Sequence, residues 1–511
     1  MKKRTDKTEV LAWGALLLAF CIGCATIYWN SYVDEGDNLI TGLLLSRGAV
    51  LYRDVFSHHF PFTYYWAAVV ISIFGKSILA VRLSVWIFQI ASFALAMKLS
   101  RFYLTLGVAG LCWSIVGPLY RSNVLLYNPF AAASLLVVFV LVLAIATGQI
   151  KPSWMHALVI GLFSAIAGLS DPLAVYAVGV ALIFLVVTDW RRGLAAGATL
   201  GAGIAVYAAY LAASGTLADF WNRAVLFNSQ IYNQYLPASP IRFREYLGQI
   251  VRGLEVLAPD WRETNPLREI TTYYDRLDRW FFTGFFYRLT IVLAAVHFAL
   301  QRRFRAALFV YFFAAALLVI NTRTFRSAPF VMIALVAVAG IVTGEWWTPG
   351  PSKALAVFQS ATRVLVACMA LWLGARVITY TYQNRQVINY GAAFAAHEAE
   401  AKMIRDKLAC GRPDVGLAYY PGNPYIHWFS DLTPLAGYPY MWPWVAEVAL
   451  PDVIRALGHG SAIAYVQETT VWSRYRTADY LRPLYEYLNR NYVKAAFDNW
   501  YVSPDLVECA N

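Results

Sequence analysis

A chain of 511 residues has room for about two to four soluble domains, but 59% of it is hydrophobic and only 14% is charged. With a mean hydropathy of +0.50, these values exclude an ordinary water-soluble globule. The net charge of +12 would suit a nucleic-acid binder in a soluble protein; in so apolar a chain the clustered Lys and Arg read instead as cytoplasmic loops and contacts to anionic membrane lipids, and no nucleic-acid partner is expected.

Apolar runs long enough to cross a hydrocarbon core of roughly 30 Å recur along the first three quarters of the chain. About eleven spans are expected, at roughly 11–29, 81–100, 102–119, 129–147, 155–171, 173–188, 194–213, 284–300, 305–321, 327–344 and 361–379. The first follows Met1-Lys-Lys-Arg without a small-residue cleavage site, so it reads as a retained signal anchor. Pro61 to Gly75 offers about 15 apolar residues, near 22 Å as a helix, and reads as re-entrant or interfacial. Leaving it uncrossed places Lys98, Arg101, Lys151, Arg191, Arg192, the Arg302-Arg303-Arg305 cluster, Lys353 and Arg363 on the cytoplasmic side. Segments 30–80, 120–128, 214–283, 321–327 and 380–511 then face the periplasm or exterior of a cell (inner) membrane.

The first of these outer segments carries Asp34-Glu35-Gly36-Asp37-Asn38, an amphipathic stretch Leu39 to Arg47, and Tyr52-Arg53-Asp54-Val55-Phe56-Ser57-His58-His59-Phe60-Pro61. Two readings stand. The carboxylates solvate the end of the first span, with Asp37 or Asn38 capping the next helix; or one of them is a general base on an incoming hydroxyl, while Arg53 and the histidines offer donors to a phosphate.

This order of features resembles the first outer loop of the GT-C glycosyltransferases, in the branch of the protein O-mannosyltransferases and lipid A aminoarabinose transferases. Phe60 departs from the family pattern, standing where the first of two prolines is usual, as does His59, where Lys is common. The resemblance implies a GT-C-like polytopic α-helical membrane protein with its active site at the outer surface. It implies an inverting glycosyltransferase, hexosyl- or pentosyl-, that takes a sugar from a polyprenyl-phosphate donor to a glycan, lipid or protein acceptor. By position, Asp34 is then the catalytic base, Glu35 its motif neighbour, and His58 or His59 the group near the donor phosphate; Asp37 and Arg53, from the loop itself, are further candidate substrate contacts. A divalent cation, Mg or Mn, has oxygen donors available in Asp34, Glu35 and Asp37.

Further along, Asp219 to Asn233 is expected to form an interfacial amphipathic helix with its apolar face in lipid. Its Arg223 is a second phosphate candidate or an Arg reaching for headgroups. Arg242, Arg244, Arg252, Arg262 and Arg268 read as a solvated face. Arg326, with Arg323 beside Pro329 at an outer span end, is a donor-binding candidate.

After residue 379 no run is long enough to span. Residues 1–379 are therefore expected to form the transmembrane catalytic domain, with outer loops 30–80 and 214–283, and residues 380–511 a small extracytoplasmic α/β domain. Strand-like runs begin at Val415 and Ala462, and helical stretches fall near 394–408, 445–457 and 478–491. A turn-rich loop, Pro421 to Asp431, introduces Tyr425, His427 and Trp428; with Tyr419, Tyr438, Tyr440, Trp442 and Trp444 it offers an acceptor surface or a packed lid. Cys410 and Cys509 are able to form one disulfide across the ends of this domain if it is extracytoplasmic. Cys21, Cys24, Cys112 and Cys368 sit in apolar spans as small hydrophobes. A transporter or flippase for a lipid-linked glycan is the rival reading; it calls for ionisable groups and helix breaks inside the spans, which are almost free of charge.

Overall fold

The computed structural model of the protein describes residues 2–29, 31–235, 287–321, 328–346, 353–383, 389–496 and 499–510. Every one of the eleven drawn apolar segments is helical. In chain order they are α1 (Lys2–Ala25), then, beyond the first outer segment, α4 (Ile78–Ser100), α5 (Tyr103–Val116), α6 (Tyr127–Ala146), α7 (Trp154–Ser170), α8 (Val175–Thr188) and α9 (Trp190–Ala213). Helices Tyr287–Leu300, Phe304–Asn321, Ala328–Thr343 and Lys353–Gln383 follow. Among the described residues, five helices are long and apolar enough to cross a membrane and the rest of this set have shorter apolar stretches. The chain is a multi-pass helical membrane protein with a small strand-containing globule near its C-terminal end.

The chain divides into two compact units. The first comprises residues 1–27, 82–208 and 238–385. Its helices approach closely where side chains are small, as expected when lipid offers no hydrophobic drive between helices. A Cβ on Gly107 would lie 2.8 Å from Ala12 Cα, and one on Gly161 2.4 Å from the Ala196 carbonyl. The α6 helix is buried along nearly its whole length. Polar groups in this unit bond to the chain itself: Trp113 Nε1 donates to Gln89 Oε1 (2.8 Å), and Gln89 Nε2 to the Ser122 carbonyl (2.8 Å). Glu345 accepts the Leu104 and Thr105 amides (2.8 and 2.9 Å), satisfying donors that the first turn of α5 leaves open.

The second unit gathers residues 28–81, 209–237 and 386–511. It begins with α2 (Val33–Ser46) and α3 (Phe62–Phe74). The α2 helix starts at Val33 with Tyr32 as N-cap, so Asp37 and Asn38 lie inside it and cap nothing. Acidic residues in its opening turns favour that early start, because the N-terminal end of a helix is electropositive. The 13 residues of α3 extend about 20 Å. A Cβ on Gly42 would come within 2.5 Å of Ala67 Cβ, so glycine lets α2 settle onto α3.

The globule is built on a four-stranded sheet ordered β1-β2-β6-β5: β1 (Gly416–Tyr420), β2 (Ala462–Val466), β5 (Val493–Lys494) and β6 (Trp500–Val502). The β1 and β2 strands run parallel, Gly416 opposite Ala462, with helix Pro443–Leu457 in the crossover. The β6 strand is antiparallel to both β2 and β5. Alternation along β1 sends Ala418 and Tyr420 into one core with Val445, Val453 and Leu484, and Leu417 and Tyr419 into another with Ile404, Leu408 and Trp500. A hairpin of β3 (Thr470–Val471) and β4 (Tyr475–Arg476) stands beside it. Cys410 and Cys509 are joined, Cα atoms 5.7 Å apart.

Two local expectations are corrected. Part of the apolar side of Trp221–Tyr232 faces protein rather than lipid: Phe227 packs with Phe56 into the core that holds Tyr438 and Tyr440, while Trp221 stays exposed. The turn-rich aromatic segment contains a short helix, Tyr425–Ser430, which opens after Pro424 and stops where Asp431 takes a positive φ.

Candidate active site

Within the second unit the acidic start of α2 is enclosed by the 50–61 loop, by α3 and by the globule. Asp34, Asp37 and Thr41 follow one another at helical spacing along one side of α2, and Glu35 points to another. Glu35 is fully buried, and Tyr425 Oη donates to its Oε2 at 2.5 Å. The backbone approach is just as close, since a Cβ on Gly36 would meet the Tyr425 nitrogen at 2.8 Å. His397 stacks on the other face of this arrangement, its ring 5.3 Å from that of Tyr425.

Asp37 is 3% exposed. Its Oδ2 accepts Tyr64 Oη (3.1 Å), Tyr64 Oη accepts Ser57 Oγ (2.8 Å), and Ser57 Oγ accepts the His59 amide (3.0 Å). The Thr41 hydroxyl, one turn on, is buried beside the same carboxyl and interacts with it. Burial pushes the Asp37 carboxyl up to about 8, and the charge of Asp34 adds to that rise while the hydrogen bonds of Tyr64 and Thr41 oppose it.

The loop that carries the histidines is held by the globule. Phe56 N–H donates to the Gly437 carbonyl (2.9 Å), and the Phe56 ring stacks on Tyr438. Only glycine fits at 437, with φ 78° and an added Cβ 2.1 Å from the Asp54 carbonyl. His58 is buried; Tyr440 Oη lies 3.1 Å from its Nδ1, and the Asn228 amide donates to its carbonyl. Burial first, then the charges of Asp37 and Asp34, hold the Tyr440 hydroxyl well above the ordinary tyrosine range, so it stays O–H. His59 is half-buried with its ring 4.0 Å from that of His58. At the far end of α2 and α3, Asp431 takes both Arg47 (2.8 Å) and Lys76 (3.0 Å).

The structure thus brings Asp34, Glu35, Asp37, His58 and His59 into one neighbourhood with Tyr64, Tyr425, Tyr440 and Asn228. Arg53 is exposed and spends its guanidinium on the adjacent Asp54, through bonds of 2.8 and 2.9 Å. Arg223 sits 5.9 Å over the Phe56 ring, beside the histidine loop. Arg326 and Arg323 lie outside the described residues, as do Arg242, Arg244, Arg252, Arg262 and Arg268. The aromatic crowd separates: Tyr425 and Tyr440 serve the acidic turn, whereas Tyr419 bonds Glu400 (2.7 Å) on the other side of the sheet. Sequence reading missed the pairing roles of Tyr64, Tyr425, Tyr440 and Asn228. The one signal available was a surplus of tyrosines with no apolar partner pattern.

The carboxyl groups do not make a ready cation cage. Glu35 is occupied by Tyr425, Asp37 is sunk against Tyr64, and among the described residues no three His, Cys, Asp or Glu side chains are placed to hold a metal ion.

A polytopic helical membrane chain whose polar segments fold with a small α/β globule around an acidic first loop has a fold shared with solved structures of other proteins. Across the whole chain the structure is similar to ArnT from Cupriavidus metallidurans in the apo state, at 14% identity and a TM-score of 0.52, covering 100% of this chain and 99% of that one. The same protein bound to undecaprenyl phosphate matches at 14% identity and 0.52, covering 99% of each. The oligosaccharyltransferase from Archaeoglobus fulgidus, in complex with Zn and sulfate, matches at 13% identity and 0.51, over 88% of this chain and 68% of that one. No family model and no curated protein matches the chain.

Proposed function

We propose that the protein is an inverting GT-C glycosyltransferase that moves a sugar from a polyprenyl-phosphate donor to an acceptor hydroxyl on the periplasmic or outer face of the membrane. The observation that carries this reading is the enclosure of the acidic turn of α2 by the histidine loop and the globule within one unit. In the proposed reaction Asp34 takes the proton of the acceptor hydroxyl. The freed oxygen attacks the anomeric carbon, the carbon–oxygen bond to phosphate breaks, and polyprenyl phosphate leaves with the electron pair. His58, His59 and Arg223 are the candidate donors to that phosphate, with Arg326 as a further candidate. Glu35 is committed to Tyr425 and supports the turn rather than the chemistry.

The disulfide between Cys410 and Cys509 supports an oxidising compartment for the globule. The binding of undecaprenyl phosphate by ArnT supports the class of donor. Sugar and acceptor are set by pocket shape, so the acceptor remains open among glycan, lipid and protein. With the carboxylates divided as described, chelation by EDTA is expected to lower the rate less than two-fold, and restoration by magnesium or manganese would reverse that expectation. The test of the whole reading is transfer from a polyprenyl-phosphate sugar by the purified protein in lipid nanodiscs. Asp34→Asn should abolish it while leaving yield and insertion intact. A flippase would instead move the lipid-linked sugar across vesicles in both forms.

A further inference from the structure

We infer that the aromatic face formed by Trp442, Trp444, Trp472, Tyr235 and Tyr475, next to the histidine loop, is a carbohydrate subsite that holds sugar rings of the acceptor. The inference rests on the reading above and names the chemical class of that acceptor, a saccharide rather than a polypeptide.

The rings make a continuous path out of the candidate site. The His58 ring lies 5.0 Å from Tyr232, Tyr232 lies 5.3 Å from Trp444, and Trp444 lies 4.5 Å from Trp472. Trp442 stacks on Trp444 at 6.1 Å, and Tyr235 stands 6.0 Å from Trp444 and 5.3 Å from Tyr475. A donor carrying one sugar on a phosphate at His58 covers only the start of this path. The rings farther out suit a molecule with further sugars, which is the acceptor.

The outer end is held open by an unusual turn. Trp472 is 47% exposed. It and Ser473 take φ of 51° and 55° at the centre of a turn that the Arg474 N–H closes on the Val471 carbonyl (3.1 Å). Hairpin turns with two positive φ values favour Asn and Gly, and residues held against such a preference gather at ligand clamps and active sites. Here the turn lays a large ring over Trp444 while leaving much of it in water.

Polar groups suited to hydroxyls stand at the rim. The exposed Glu447 accepts Tyr235 Oη, and the exposed Arg474 guanidinium lies 5.1 Å over the Tyr475 ring. The Trp444 indole N–H is buried with no hydrogen-bond partner among the described residues, and a ligand hydroxyl that lifts Trp472 can match it. A sugar supplies both complements, C–H faces for the electron-rich rings and hydroxyls for the rim. A bilayer fits less well: among the described residues of the globule, Trp472 and Val493 are the only exposed large hydrophobics, fewer than a membrane-inserted face presents.

The test is transfer by the full-length protein in nanodiscs from a polyprenyl-phosphate sugar, with the polysaccharide, glycolipid and protein fractions of the cell envelope as separate acceptors. Wild type is expected to label the polysaccharide or the glycolipid, and the labelled fraction tells which of the two carries the rings. Trp472→Asn suits the turn but removes the ring. It should melt no lower than wild type, raise the acceptor KM about ten-fold and leave kcat within about two-fold; Trp472→Phe should restore most of the affinity. An unchanged acceptor KM in Trp472→Asn, or label confined to the protein fraction, overturns the inference. A Trp472→Asn protein that melts lower and loses kcat with its KM unmoved assigns the ring to packing and overturns it as well. If that variant does not fold, the exposed Arg474→Ala decides: the same KM should rise, and a KM equal to wild type counts against the subsite. Absence of transfer to any fraction by wild type would instead overturn the glycosyltransferase reading.

Discussion

The two units solve opposite problems with the same chain. In the first, small residues let helices touch, and the buried polar groups Gln89, Trp113 and Glu345 are matched to backbone or to one another. In the second, segments far apart in sequence meet through side chains, and carboxyl, imidazole and phenol groups are buried side by side.

That contrast breaks most visibly at Asp34. Asp34→Asn is expected to lower transfer by about 10² to 10⁴-fold in nanodiscs while the melting temperature stays within experimental scatter; a variant that keeps its rate would remove the proposed base. The disulfide comes next. Its closed loop spans 99 residues, so replacing Cys410 and Cys509 by Ser should cost about 4 kcal/mol, seen as faster limited proteolysis of the globule. Gly36→Ala forces a methyl against the Tyr425 backbone and should cost about 1–3 kcal/mol, with a larger loss of transfer than of stability.

The pH dependence of stability sharpens the comparison further. The Asp37 carboxyl is raised in the folded protein, to about 8 from 3.8, so the folded chain holds a proton that the unfolded chain releases. Its stabilising effect is complete below about pH 4 and is lost as the pH climbs through 8, at about 1 kcal/mol per unit. Melting temperatures measured from pH 6 to 8 should fall in wild type and fall less in Asp37→Asn. The smallest effect belongs to the first unit: Gln89→Leu removes the partner of Trp113 and should cost about 1–2 kcal/mol without changing turnover per folded molecule.

Much of this architecture was readable from the chain because apolar length and strand alternation are local properties. The helices lie where the apolar runs lie, and β1 and β2 fall within a residue of the runs at Val415 and Ala462. The acidic turn and the histidines could be singled out because their residue types are unusual beside a span. Their partners could not, since nothing near Tyr425 or Tyr440 in sequence announces a contact with Glu35 or His58. Arg53 pairs with the adjacent Asp54, a contact that sequence neighbours make without any signal in the pattern. The lipid-facing expectation for Phe227 failed because amphipathicity marks a face to be covered and not what covers it.

The hydrogen bond between Tyr425 and Glu35 joins residues 390 positions apart. A ribosome adding about 5–20 residues per second delivers the phenol roughly twenty to eighty seconds after the carboxyl. During that interval the acidic turn exists without the tyrosine that later covers it, so a nascent or truncated chain can be inserted in the membrane and still be inert. The acidic turn is completed only when the residues of the globule have been made.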